Sequence, residues 1–191
     1  MPDSAYTLPA ATRIGHVHLK VSDLSRALAF YRDLLGFEVT TMYGADAAFL
    51  SAGGYHHHIG LNTWYRRGAG PAPQRAAGLF HTAILFPERR DLAAAYQRLL
   101  AAAYPLTGVA DHGVSEALYL DDPDGNGVEL YWDQPREQWP QTPEGTLQMY
   151  TRSLDLDDLL AELKPGPGPE RKRPAPAQSG SRPFKLLKRA P

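Results

Sequence analysis

One stretch of this chain occurs twice. Residues 14–35, IGHVHLKVSDLSRALAFYRDLL, align with residues 79–100, LFHTAILFPERRDLAAAYQRLL, at an offset of 65. His16 falls on His81, Tyr31 on Tyr96, Leu34 on Leu99 and Leu35 on Leu100. A second register, at an offset of 69, sets Ile59-Gly60-Leu61 over Val128-Glu129-Leu130, so Gly60 stands where the other copy has Glu129. A pseudo-twofold arrangement of the copies would bring four positions to one point. Three of them, His16, His81 and Glu129, carry metal-ligand chemistry.

Local patterning gives each copy the same order of elements. His16–Val21 reads as a strand, and Ser22 or Asp23 can cap a helix, because a side-chain oxygen there accepts from the free amides of the first turn. Leu24, Ala27, Tyr31, Leu34 and Leu35 recur at helical spacing, and Gly36 supplies the stop. Phe37–Met42, Ala48–Ser51 and His58–Thr63 read as strands, with Ala52-Gly53-Gly54 as a turn. In the second copy His81–Leu85 is a strand, and Arg90–Ala101 a helix with Leu92, Tyr96, Leu99 and Leu100 on one face. Leu118–Leu120 and Gly127–Trp132 are strands around the turn Asp122-Pro123-Asp124-Gly125, which is read as structural. Residues 64–78 form a Pro/Gly-rich connection between the copies.

The expected fold class is therefore α+β, with the repeat occupying residues 12–135, module 1 about 12–64 and module 2 about 79–135. An extension, 136–163, contains a short helix over Ser153–Leu163. The last residues, 164–191, hold eight basic residues against one acidic, and too little apolar surface to offset chain entropy, so this tail is expected to be disordered. Since the whole chain is −1, residues 1–163 carry about −8, which argues against nucleic acid as a partner. The chain has no cysteine, excluding disulfides, thiolate metal sites and cysteine nucleophiles. No stretch reads as a secretion signal or a membrane span, so a soluble cytoplasmic protein is the expectation.

The segments GHVHLKVSDLSRALAFYRDLLGFEV, LFHTAIL and YLDDPDGNGVELYW resemble the vicinal oxygen chelate superfamily, which includes glyoxalase I, extradiol dioxygenases, fosfomycin-resistance enzymes and bleomycin-binding proteins. YHHHIGLNTW and DHGVSEALYLDDPDGNGVELYW are most similar to the catechol 2,3-dioxygenase type. The resemblance implies two tandem βαβββ modules whose strands form a cupped mixed sheet around a metal. Many dioxygenases of this type have four modules. This chain has room for two, which fits a stand-alone short member or a truncated relative.

Two imidazoles and one carboxylate on one face of Fe(II) leave adjacent coordination positions open for a substrate and dioxygen. His16, His81 and Glu129 are the candidate ligands. His18 competes with His16, since residues two apart on a strand share a face, but the alignment with His81 favours His16. In four-ligand relatives such as glyoxalase I, the position matching Gly60 holds a donor. Glycine has none to give, which favours the three-ligand dioxygenase arrangement. The resemblance further points to His57, with His58 as the alternative, as the acid-base group. Histidine suits that role because it titrates near neutrality. The alternative is that His56-His57-His58 is a surface cluster that binds metal incidentally. Tyr119, ten residues before Glu129, would hydrogen-bond substrate or an oxygen intermediate, and His112 would line the pocket. Trp64, Tyr65, Phe80, Tyr131 and Trp132 could supply aromatic walls.

The implied function is Fe(II)-dependent extradiol cleavage of a catechol-like diol by dioxygen, with a homodimer as a further expectation. The competing readings are a lyase, isomerase or transferase using Mn(II), Ni(II) or Zn(II) as a Lewis acid, and a non-catalytic ligand-binding or resistance protein.

Overall fold

The computed structural model describes residues 6–70, 73 and 77–164. All but the first residue of the tail expected to be disordered lies outside them. Strands β1 (Val17–Lys20), β2 (Glu38–Tyr43), β3 (Ala47–Ser51) and β4 (Ile59–Asn62) form one four-stranded sheet in the order β1-β4-β3-β2. Strands β5 (Thr82–Phe86), β6 (Gly108–Asp111), β7 (Ser115–Asp121) and β8 (Gly127–Asp133) form a second in the order β5-β8-β7-β6. The first and last strands of each module run parallel and the other pairs antiparallel. Each module is thus βαβββ, and the repeat read from sequence holds to the residue: His18 pairs with Gly60 and Ala83 with Glu129, which are the same pair under the two offsets.

β6 was not anticipated. Gly108-Val109-Ala110-Asp111 has weak strand propensity and little alternation, and becomes a strand because β7 supplies a long antiparallel partner from Gly108↔Tyr119 to Asp111↔Glu116.

In module 1 the helix α1 (Leu24–Leu28) is capped by Asp23, whose carboxylate accepts from Arg26 N at 2.9 Å. It continues as a π-helical turn over Ala29–Leu34, with Leu35 N donating to Phe30 O at 2.9 Å. The wider turn lets the neighbours Phe30 and Tyr31 both face the core, where each is at most 2% exposed. Gly36, at φ +94°, ends the helix in the left-handed conformation that a residue with Cβ resists. In module 2 the helix α2 (Arg89–Ala101) buries Leu92, Ala93, Tyr96 and Leu99. Leu100, expected on that face, is 50% exposed, since one residue further turns it about 100° away from Leu99.

The two modules share one core. Leu50, Ile59 and Leu61 of the first sheet and Leu118, Leu120 and Leu130 of the second are essentially inaccessible, each side chain contributing about 2 kcal/mol by leaving water. The modules meet through their helices and the Asp122–Gly125 turn. Tyr31 Oη donates to Asp122 Oδ2 at 3.0 Å, Arg26 pairs with Asp124 at 2.9 Å, and Arg98 donates to the carbonyls of Asp33 and Leu34. Asp122 also accepts from the amides of Asp124 and Asn126, so the turn assigned a structural part is a knot tying module 2 to module 1.

Beyond β8 the chain makes a 3-10 turn (Arg136–Gln138) and returns across β6 through the bridge Asp111↔Arg152. It ends in the short helix α3 (Leu156–Ala161), narrower than the expected Ser153–Leu163. Leu154 and Leu159 enter the shared core, and Arg89 of α2 binds Glu116 together with Asp158 and Glu162 of this terminal segment. Among the described residues no helix is long and apolar enough to cross a membrane.

Candidate active site

Module 2 assembles most of the expected residues. His81 immediately precedes β5, Glu129 lies on β8, and Tyr119 of β7 stands directly opposite Glu129 in the antiparallel register. His81 Nε2 is 2.9 Å from Glu129 Oε2, and Tyr119 Oη donates to the other carboxylate oxygen, Oε1, at 2.8 Å. His112 Nε2 lies 2.9 Å from the Tyr119 hydroxyl, while its Nδ1 is 3.0 Å from the Tyr150 carbonyl. The result is one line of polar contacts from His81 through Glu129 and Tyr119 to His112, hydrogen-bonded from Glu129 onward. Burial, and then the neighbouring Glu129, push the Tyr119 phenol well above its ordinary range, so it stays protonated and can donate. Glycine at residue 127 keeps the geometry tight: a Cβ there would collide with the Phe80 carbonyl and lie 3.2 Å from His81 Cβ. A cleft of about 370 Å³ opens beside Phe80, His81 and Tyr119. The larger hollow, near Ser22, Arg26 and Arg67, contains none of the candidate residues, and its arginines are already paired with Asp124 and Asp46.

Module 1 gathers a separate imidazole cluster. The His16 ring lies 4.3 Å from that of His57, and His56 Nδ1 is 2.8 Å from His57 Nδ1. Partial desolvation, and then the neighbouring imidazoles His16, His56, His18 and His58, hold His57 below the usual histidine range. His58 takes another direction: its Nδ1 accepts from Ala52 N at 3.3 Å and contacts Ser51 Oγ at 3.1 Å. His18 lies beside Phe49 and Trp64 with its ring over Gly60. Of the five aromatic candidates, Trp64, Tyr65 and Phe80 face solvent, whereas Trp132 packs on the core.

His16 is thus grouped with His57, and His81 with Glu129. Among the described residues no three His, Asp or Glu side chains stand close enough to hold one ion. Within one chain the described residues bring together two of the three expected donors, His81 and Glu129. His81 Nε2 and Glu129 Oε2 have the separation of neighbouring ligands on one ion, about 3 Å for bonds of roughly 2.1 Å at a right angle. Among the described residues the buried His81 Nδ1 has no hydrogen-bond partner, so none of them gives it the usual orientation of a ligating histidine by a carbonyl or carboxylate. The physical reason for the split is the packing of the modules through α1, α2 and the Asp122 turn.

Sequence reading missed the contribution of Tyr150 and Thr151 to His112. The signal available was Gly113, next to His112, whose φ of +76° marks a backbone shaped for close approach.

Comparison with known proteins agrees with this architecture. The chain is 39% identical over 166 residues to catechol-2,3-dioxygenase of Bacillus subtilis, covering 86% of this chain and 55% of that protein, so it spans about half of that relative's length. It is 35% identical over 157 residues to biphenyl-2,3-diol 1,2-dioxygenase 3 of Rhodococcus globerulus, covering 80% of this chain and 78% of the relative. A solved glyoxalase/dioxygenase from Nostoc punctiforme superposes with a TM-score of 0.56 at 16% identity, covering 69% of this chain and all of the other, and shares the fold. The sequence profile of one family matches residues 13–130, from just before β1 through the middle of β8. The duplicated βαβββ unit and the matched span together place the chain in the glyoxalase/bleomycin resistance protein/dioxygenase superfamily.

Proposed function

We propose that this chain is an extradiol dioxygenase that opens the ring of a catechol-like diol with dioxygen, using Fe(II) held by His16 of one copy and by His81 and Glu129 of another. The observation that carries the reading is the His81–Glu129–Tyr119–His112 line, which joins a two-donor half-site to a protonated phenol and an imidazole. The identities to catechol and biphenyl-diol dioxygenases support the reaction class. The absence of a side chain at Gly60 supports three protein ligands over four.

Assembly of two copies follows from the split donors. His16 and His81 stand at the entrances to β1 and β5, and the sheet orders place both strands at sheet ends. Apolar side chains beside them lie bare: Ile14 is 96% exposed and Phe80 88%. Covering such surface is favourable.

Within the site Tyr119 can donate a hydrogen bond to a substrate oxygen. The adjoining His112 offers Nε2 to the Tyr119 hydroxyl at 2.9 Å and can exchange a proton with it. His57 is the corresponding group on the module 1 side, where desolvation and the neighbouring imidazoles favour its neutral form, the form that can accept a proton.

The experiment is anaerobic iron loading followed by catechol, 3-methylcatechol or homoprotocatechuate with oxygen. A yellow ring-opened semialdehyde is the expected product. Colourless solutions across the series, with iron bound, would overturn the dioxygenase reading.

A further inference from the structure

We infer that the segment beyond β8 is a positioning element of the site: the Tyr150 carbonyl fixes the proton of His112 on Nδ1 and so turns Nε2 toward Tyr119. Tyr150 and the rest of the extension lie outside the span matched by the superfamily profile.

The extension is laced to the β6 end where His112 sits. Arg152 N donates to Asp111 O and Asp111 N to Arg152 O, both at 2.9 Å, and Tyr150 N donates to His112 O at 3.2 Å. His112 is therefore held by its own backbone to the strand-like segment that carries its side-chain partner. A carbonyl oxygen only accepts, so the 3.0 Å contact between Tyr150 O and His112 Nδ1 requires the hydrogen on Nδ1. Thr151 Oγ1, 3.3 Å from the same nitrogen, can also accept from it. In the neutral ring Nε2 then carries a lone pair, and this is the atom 2.9 Å from the Tyr119 hydroxyl.

This choice of tautomer matters because the Tyr119 hydroxyl has one hydrogen and two acceptors in reach, Glu129 Oε1 and His112 Nε2. With Nδ1 protonated, Tyr119 can swing its hydrogen between them. With the other tautomer, Nε2–H would point at the phenolic oxygen and commit Tyr119 to Glu129 alone.

The carbonyl is held in place by packing. The Tyr150 ring lies against residue 113, where a Cβ would come 2.5 Å from Cε1, and the Arg152 guanidinium sits 4.1 Å above the Tyr150 ring. Buried Leu154 and Leu159 and the Arg89 ion pairs fasten the segment that follows. Glycine at 113 is what lets the extension lie this close.

The test is long-range proton–nitrogen NMR of the full chain labelled at its histidines, recorded above the usual imidazole range, with the His112 signals identified by their loss in His112→Gln. Nδ1–H is expected in the native protein. Gly113→Ala, which drives Tyr150 away, and Tyr150→Ala, which removes the packed ring, should each shift His112 toward a mixture of tautomers. Nε2–H in the native protein overturns the inference, as does an unchanged tautomer in the variants that fold. If neither variant folds, the native spectrum decides. The effect on turnover rests on the function proposed above: kcat should fall about tenfold with KM within about twofold, as for a displaced proton-handling group. A native protein without turnover sinks that function, and the tautomer measurement still judges the role of Tyr150.

Discussion

The ring of His18 fills the space that a side chain at residue 60 would need: an added Cβ would lie 2.9 Å from both Cγ and Cδ2 of the imidazole. In the other module the equivalent pair is Ala83 and Glu129. Each module thus puts one bulky polar group on a cross-strand pair, from its first strand in one case and its last in the other. Gly60→Ala must push His18 toward Phe49 and Trp64. Thermal or denaturant unfolding should show a loss of about 1–3 kcal/mol, the usual cost of overpacking. Unchanged stability would mean that the imidazole moves freely and that the pairing does not constrain this site.

Tyr31 joins the modules through a buried hydrogen bond. Burial and the adjacent Asp122 raise its phenol well above the ordinary value. Because the folded state holds this proton more tightly than the unfolded chain, the stabilisation is complete below about pH 10 and is lost as pH rises beyond it. Tyr31→Phe should cost about 1–2 kcal/mol at neutral pH. The variant should also show a flatter fall in stability on the alkaline side, as read by denaturant melts at several pH values. An identical alkaline slope in the two proteins would remove Tyr31 from the account.

Glu129→Ala should abolish tight Fe(II) binding by leaving only imidazoles. His81→Ala should weaken binding and turnover at least a hundredfold, as expected when one of three ligands is lost. Metal content after gel filtration and steady-state rates measure the two effects. Full turnover in His81→Ala would rule out its role as a ligand.

If iron bridges two copies, its removal weakens their association by the free energy of metal binding. Equilibrium sedimentation with Fe(II) and after chelation should show a dimer that shifts toward monomer when stripped of metal. A monomer that binds iron with three protein ligands would contradict the proposed assembly.

Arg89 lies among Glu116, Asp158 and Glu162, with Glu116 itself largely buried. Arg89→Met leaves that carboxylate unpaired and should cost about 3 kcal/mol. Faster amide exchange over 150–161 would show that the loss frees the terminal segment.

The repeated βαβββ order was legible because two features survive divergence: the helical spacing around Tyr31 and Tyr96, and the offset that lays Gly60 on Glu129. β6 was not, since Gly, Ala and Asp carry little intrinsic strand signal and the pairing with β7 supplies the order. The π-helical turn at Phe30-Tyr31 also escaped notice, because adjacent aromatics fit a regular helix equally well on paper. Within the candidate site, Tyr119 facing Glu129 follows from strand register, and the text of the chain contains that ten-residue spacing. The grouping of His16 with His57 rather than with His81 does not follow from any spacing. It is set by how the modules pack, through Arg98, Tyr31 and the Asp122 turn. The hold of Tyr150 on His112 spans 38 residues and runs through a main-chain oxygen, which no residue type advertises.

Both candidate histidine ligands stand where a terminal strand begins, so in the proposed assembly the outer rims of the two sheets would serve catalysis and subunit recognition at once. Selection acting on either trait would then be felt by the other. In that assembly, a change at Ile14 or Phe80 that loosened the proposed seam would lower affinity for iron without touching a ligand.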